Sequence, residues 1–187
     1  MNKTPSYTAF YDSKYAEGEE IPRTSKIYTL ESVPGDIGKS VLDVGCGAGL
    51  NSQWLADRGF GVQGLDISEN AIKRYTERGF EGRVADIEQR LDYTDSSFDI
   101  VFCSEVIEHL VQPSDLLDEF CRIIRPGGAV VISVPNSAFW LYRLFAVFGV
   151  TLSDVQHPMH LRFFSKKSLG KLLIEAGFRP RQSLGRN

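Results

Sequence analysis

The chain has 187 residues, 42% of them hydrophobic and 24% charged, with a formal net charge of −3. That is enough apolar content for one globular domain with a real core, and the charge excludes a basic surface that binds nucleic acid along the whole chain. Three cysteines, Cys46, Cys103 and Cys121, stand far apart with no CxxC pair, which argues against a disulfide framework or a zinc site and fits a reduced, cytoplasmic protein.

The N-terminus, MNKTPSYTAFYDSKYAEGEE, is too polar for a signal peptide. Residues 1–37, rich in tyrosine (Tyr7, Tyr11, Tyr15, Tyr28), read as a cap of short helices. From residue 38 to 135 the pattern is regular. Ser40–Val44 is an apolar strand, Asn51–Arg58 a helix stopped by Gly59, and Gly61–Asp66 a second strand. Ser68 caps a predicted helix through Arg78, with Gly79 as its stop. Gly82–Ala85 is a short third strand and Phe98–Cys103 a buried fourth. Ser114 is expected to cap a helix to about Ile124, ended by Pro126-Gly127-Gly128, and Ala129–Val134 is a fifth strand. Residues 136–164 read as an insert. Its most apolar run, Phe139 to Val150, is too short to span a bilayer and carries Arg143. In residues 165–187, Ser165 caps a last helix that closes at Gly177, and a sixth strand is expected from Phe178.

Strands alternating with helices predict an α/β fold: a doubly wound, mostly parallel sheet with helices on both faces. Ligands in such folds sit at the carboxyl ends of the strands. Asp43, Asp66, Asp86, Ser104 and Asn136 all fall at those ends.

The stretch Val41 to Leu50, VLDVGCGAGL, breaks a strand into alternate glycines. A phosphate-binding P-loop needs a lysine after its glycines, and none follows. A dinucleotide turn, GxGxxG, would put its third glycine at position 50, which is Leu50. Asp43, two residues before Gly45, would repel a pyrophosphate docked on the next helix N-terminus and suits a ligand with a positive charge. Asp66, ending the second strand, can accept from both hydroxyls of a ribose. The ligand expected from these residues is a nucleoside with an ammonium-bearing tail and no phosphate, a description that S-adenosylmethionine meets.

VLDVGCGAG, with GLDIS at 64–68, VADIE at 84–88, SFDIVFCSEVIEHL at 97–110, RPGGAVVISVPN at 125–136 and HLRFFSKKSLGKLLIEAGF at 160–178, resembles the motif series of class I S-adenosylmethionine-dependent methyltransferases. The segment PNSAFWLYRLF is similar to the small-molecule branch that includes MetW-type proteins and quinone-precursor O-methyltransferases. The resemblance implies a Rossmann-like methyltransferase fold with S-adenosylmethionine as cofactor. It also implies roles. Gly45, Cys46 and Gly47 would face the methionine part through their backbone, and Asp43 would help hold its ammonium through water. Asp66 would bind the ribose hydroxyls, Ile67 would pack on the adenine, Asp86 and the Ile87 amide would pair with its edge, and Ser104 would lie beside the methionine. The fourth strand ends in CSE rather than the DPPY or NPPY tetrad of amino-methyltransferases of bases and glutamine, which speaks against those acceptors. Little sequence remains for a closing hairpin after the last helix, so the fold is expected to be minimal or to lack its last strand.

Methyl transfer is an in-line displacement in which positioning the acceptor about 3 Å from the methyl carbon does much of the work. His109, just after the fourth strand, is the candidate base; packing within its turn is the bland alternative. Glu105 and Glu108 are expected to cap a helix N-terminus, and Arg162 to form a surface ion pair. His157 and His160 make too small a set for a metal, and none is expected. On the acceptor side the candidates are Tyr15, Trp140 and His160. Tyr11 and Tyr15 would close over the cofactor. Trp140, Leu144 and Val147 form one helical stripe, which either lines an acceptor lid or packs in the core. The function expected is methyl transfer to a small molecule, at oxygen, with no nucleic-acid partner. A cofactor-binding partner protein without catalysis is the alternative, and an NAD-dependent oxidoreductase a more distant one.

Overall fold

The computed structural model describes residues 7–17, 27–156 and 159–182. Two helices lead in, α1 (Tyr7–Ala16) and α2 (Ile27–Glu31). Then β1 (Ser40–Val44), α3 (Leu50–Ala56), β2 (Gly61–Asp66), α4 (Glu69–Glu77) and β3 (Glu81–Val84) alternate. β4 (Phe98–Ser104) runs into a 3-10 turn over Ile107–His109, followed by α5 (Pro113–Ile123) and β5 (Ile124–Ser133). α6 (Trp140–Val147), α7 (Leu152–Val155) and α8 (Lys166–Glu175) complete the described chain.

The five strands form one sheet in the order β3-β2-β1-β4-β5, with every pair parallel. β1 therefore has β2 on one side and β4 on the other, and the chain's winding reverses there. Parallel sheets open a ligand crevice at this switch point, beyond the carboxyl ends of the strands. Register sets Asp43 between Gly64 and Phe102, so the ends of β1, β2 and β4 lie level.

Alternation along the central strands sends side chains to both faces. Leu42, Val44, Val101 and Cys103 pack with Leu116, Leu117, Phe120 and Ile123 of α5, and Leu169, Leu172 and Leu173 of α8 join them. Val41, Ile100 and Phe102 point the other way, into a cluster with Leu30 of α2 and Leu55 of α3. Each such buried side chain contributes about 1.5–3 kcal/mol.

Three local devices hold the frame. The link from β3 to β4, residues 85–97, contains no helix and is gripped by Arg122 of α5 instead. Its guanidinium donates to the carbonyls of Leu91 (3.0 Å) and Tyr93 (2.6 Å), to Asp95 (2.9 Å), and in a fork to both oxygens of Glu119 (2.7 and 3.0 Å). Asp99 of β4 accepts from the amides of Lys39 and Ser40 (both 3.0 Å) and from Arg125 (2.7 Å), which ties the start of β1 to β5. The Tyr75 ring, fully buried on α4, lies in a slot floored by glycines. A Cβ on Gly49, Gly64 or Gly82 would stand 2.9, 2.5 or 2.7 Å from that ring.

Several expectations need correcting. Ser114 does not cap α5: the helix opens on Pro113 with Gln112 at the cap position, and the Ser114 hydroxyl donates to Asp115 (3.2 Å). A proline at the first helical position needs no partner for its nitrogen, so the helix starts two residues earlier. β5 begins at Ile124, and a register shift between Phe98 and Ile100 absorbs the glycines. Residues 178–182 form no strand, and 183–187 lie outside the described residues; Phe178 packs against the α5–α8 core. The Trp140–Leu144–Val147 stripe is no core face: the three are 57, 44 and 77% exposed.

Candidate active site

The glycine turn leaves β1 with Gly45, Gly47 and Gly49 all at positive φ (70°, 55° and 88°), a region in which a side chain is strained. Space is as restrictive as conformation. A Cβ on Gly45 would strike Val106, and one on Gly47 would strike the Tyr15 hydroxyl. The amides of Gly45 and Cys46 both donate to the Leu65 carbonyl (2.8 and 3.0 Å), which fastens the turn to β2. Cys46 is buried with its thiol pushed well up by that burial, so it fills space as a neutral group.

Two buried carboxylates flank the turn. Asp43 is 1% exposed, and its Oδ2 accepts from the Ser52 hydroxyl of α3 at 2.6 Å. Asp66 is 8% exposed, with Oδ2 accepting from the Gly47 amide and Oδ1 from the Ser68 amide, both at 2.9 Å. Burial raises the Asp66 pKa, outweighing the backbone donors that lower it. Ser68 in turn caps α4 by accepting from the Ala71 amide at 3.1 Å. Ile67 and Ile87 are half-buried, whereas Asp86 at the end of β3 is exposed and accepts from the Glu88 amide at 3.0 Å. These groups line the ends of β2 and β3 side by side, joined where the Ala85 amide donates to the Asp66 carbonyl (2.9 Å).

The end of β4 carries the polar groups of the other half. The hydroxyls of Ser104 and Ser133 lie 2.7 Å apart, and Ser133 donates to Glu105 at 3.0 Å. Glu105 sits at φ +59° and caps no helix, contrary to expectation. Glu108, also expected as a cap, is 1% exposed inside the 3-10 turn. His109 is 8% exposed. Its Nδ1 lies 3.0 Å from the Met159 carbonyl, which can only accept, so Nδ1 carries the proton and Nε2 the lone pair. The Tyr11 hydroxyl reaches that Nε2 at 3.4 Å. The His160 ring lies edge-on to His109 at 4.8 Å, with its Nδ1 3.1 Å from the Gln156 side-chain oxygen. One donor atom from each of Glu108, His109 and His160 lies within 4.8 Å of the other two. A carboxylate with two imidazoles, each oriented through its other nitrogen, is a set that a divalent cation accepts. Among the described residues Arg162 makes no ion pair. Its guanidinium donates to the carbonyls of Leu110 and Val111 and pins the segment after Met159 to the 3-10 turn.

α1 covers both halves. Asp12 accepts from the Ser68 hydroxyl (2.8 Å), the Asn70 amide (3.0 Å) and the Asn70 side chain (3.0 Å), locking α1 to the start of α4. Tyr15 is 7% exposed against Gly47 of the glycine turn, and its phenol is pushed up by burial and by Asp66. Tyr11 lies over His109. The structure thus brings Tyr11, His109 and His160 together, and separately Asp43, Gly47, Asp66 and Tyr15. Trp140 joins neither: its described ring neighbour is Phe139 at 5.9 Å. His157 lies outside the described residues. Ser52, Tyr75, Asp12 and Ser133 were not foreseen. Asp12 alone had a local signal, as an acid between the two lid tyrosines.

Residues 17–183 match the family described as "Methyltransferase domain". The chain belongs to that methyltransferase family. Relatives named ubiquinone biosynthesis O-methyltransferase include one from Psychrobacter arcticus, 31% identical over 163 residues, covering 81% of this chain and 63% of the relative. Another, from Dechloromonas aromatica, is 34% identical over 158 residues, covering 79% and 68%. The chain thus spans about two thirds of the length of these relatives. Among solved structures, a Haloferax volcanii methyltransferase in complex with the Trm112 methyltransferase activator superposes with TM-score 0.72 at 22% identity, covering 89% of this chain and 75% of that one. A SAM-dependent methyltransferase from Archaeoglobus fulgidus gives 0.63 at 24%, covering 90% and 69%. Both share the fold. S-adenosylmethionine is the methyltransferase's cofactor, and the residues present fit it: a side-chain-free turn between two buried carboxylates at the switch point. No described helix is long and apolar enough to cross a membrane.

Proposed function

We propose that this methyltransferase domain transfers a methyl group to a hydroxyl oxygen of a small molecule. The observation that carries the reading is His109. It is buried at the end of β4, its tautomer is fixed by the Met159 carbonyl, and its Nε2 lone pair already meets a phenol hydroxyl, that of Tyr11. An acceptor hydroxyl in place of Tyr11 meets the same lone pair. The name O-methyltransferase borne by the relatives supports oxygen.

In this reading Asp43 holds the ammonium of the cofactor, Asp66 takes the ribose hydroxyls after releasing the Gly47 amide, and Gly45, Cys46 and Gly47 present backbone to the methionine part. Ile67, Ile87 and Asp86 receive the adenine, and Ser104 borders the methionine. Bound there, S-adenosylmethionine supplies a methyl group on a sulfonium with a neutral leaving group. His109 accepts the acceptor's proton at Nε2, Tyr15 covers the turn against water, and His160 shapes the acceptor side. A second reading of the same cluster is favoured by its donor set: Glu108, His109 and His160 would hold a divalent cation, which would supply Lewis-acid chemistry to the acceptor.

A panel of phenol, carboxylate, amine and thiol acceptors, incubated with S-adenosylmethionine, tests the proposal. Methylated product from phenols, reduced about 100-fold or more in His109→Ala, is expected. Turnover that survives a chelator leaves His109 as base; turnover restored only by added Mg2+ or Mn2+ makes it a ligand. Cofactor binding with no turnover on any class overturns the proposal in favour of a non-catalytic partner protein.

A further inference from the structure

Asp43 is a carboxyl group with almost no access to water, and its environment is more elaborate than the cofactor role alone explains. Its Oδ2 accepts from the Ser52 hydroxyl at 2.6 Å, a short charge-assisted bond. Because Ser52 spends its proton on Asp43, its oxygen is left to accept, and the partner is the Tyr75 hydroxyl at 2.9 Å. Ser52 and Tyr75 are both fully buried. The chain of bonds thus runs Tyr75 to Ser52 to Asp43, from α4 through α3 to β1. Hydrogen bonds in such a series polarise one another, most strongly where water is excluded.

We propose that Ser52 and Tyr75 are positioning residues for cofactor recognition: their two hydroxyls hold the Asp43 carboxylate in the orientation that receives the ammonium group of S-adenosylmethionine. The inference rests on the cofactor reading given above and adds to it the residues that make Asp43 competent. The ring of Tyr75 and its hydroxyl do separable work. The ring fills the slot over Gly49, Gly64 and Gly82, which phenylalanine fills as well. Only the hydroxyl reaches Ser52.

Two ligands separate this role from ordinary packing. S-adenosylhomocysteine carries the amino-acid tail with its ammonium; 5′-methylthioadenosine has the same nucleoside without it. Calorimetry of both against the intact chain, Tyr75→Phe and Ser52→Ala is the experiment. Tyr75→Phe should weaken S-adenosylhomocysteine about 3- to 10-fold, and Ser52→Ala about 10- to 100-fold, in line with losing a neutral and a charge-assisted hydrogen bond. Both should leave 5′-methylthioadenosine within about 2-fold. Equal weakening of the two ligands, or undiminished S-adenosylhomocysteine binding in both variants, overturns the proposal and leaves the cofactor reading standing. Failure of the unmodified chain to bind either ligand removes the cofactor reading itself, and this inference with it. Should Ser52→Ala not fold, Tyr75→Phe, which keeps the ring in its slot, decides alone.

Discussion

Asp66 couples the site to pH with a definite sign. Its folded-state pKa is raised by burial, so the folded protein binds this proton more tightly than the unfolded chain does. The stability contributed by the group is therefore full below the unfolded value of about 3.9 and is lost as pH rises through the raised folded value. Receiving ribose hydroxyls needs the carboxylate, so cofactor affinity should run the opposite way and fall on acidification through the same interval. Thermal melts and calorimetry across that range, with Asp66→Asn as reference, check both trends; the variant should lose the step in stability and bind cofactor at least about 10-fold more weakly. Asp66 and Asp43 were legible in the sequence because a carboxylate at a strand end is a local pattern. The Glu108–His109–His160 cluster was not, because His160 comes from the far side of α5, β5 and two further helices and no local spacing announces it.

At the scale of elements, the sheet was readable to within a residue at β1 and β2, where apolar runs end cleanly at glycine or aspartate. The errors have physical causes. Proline at the first position of α5 overrode the serine cap, and of the two readings of the α6 stripe the core one fails because Trp140, Leu144 and Val147 are exposed. The link between β3 and β4 contains no helix or strand, and one guanidinium makes several of the bonds that hold it, beside the Leu91 amide on Glu119 and the Ser97 amide on the Ile123 carbonyl. Arg122 is largely buried and, with Glu119, forms a fork that holds the Glu119 carboxyl below its usual range. Arg122→Ala should lower unfolding stability by about 2–3 kcal/mol in chemical denaturation. Lysine should recover little of it, since a point charge cannot serve two carbonyls and two carboxylates at once.

Across the whole molecule, α1 reaches both the glycine turn and the end of β4, through Tyr15 on Gly47 and Tyr11 on His109. Its lock is Asp12, whose carboxylate joins α1 to α4. With α1 resting on Gly47 and His109 in this way, under the proposed function Asp12→Ala should speed cofactor release about 5- to 10-fold while leaving the sheet's exchange protection intact, as read by stopped-flow fluorescence and amide hydrogen exchange. The slot beneath Tyr75 bears on how such a sequence can drift. A methyl at position 64 would meet the Cys46 sulfur at 2.7 Å as well as the ring, and Gly49 is held by its positive φ of 88°, so position 82 is the one where the ring of residue 75 is the main obstacle. The order of changes is thereby constrained there: the ring must shrink before position 82 can take a methyl. Positions 75 and 82 are thus coupled, and a smaller side chain at 75 also takes from Ser52 its hydroxyl partner.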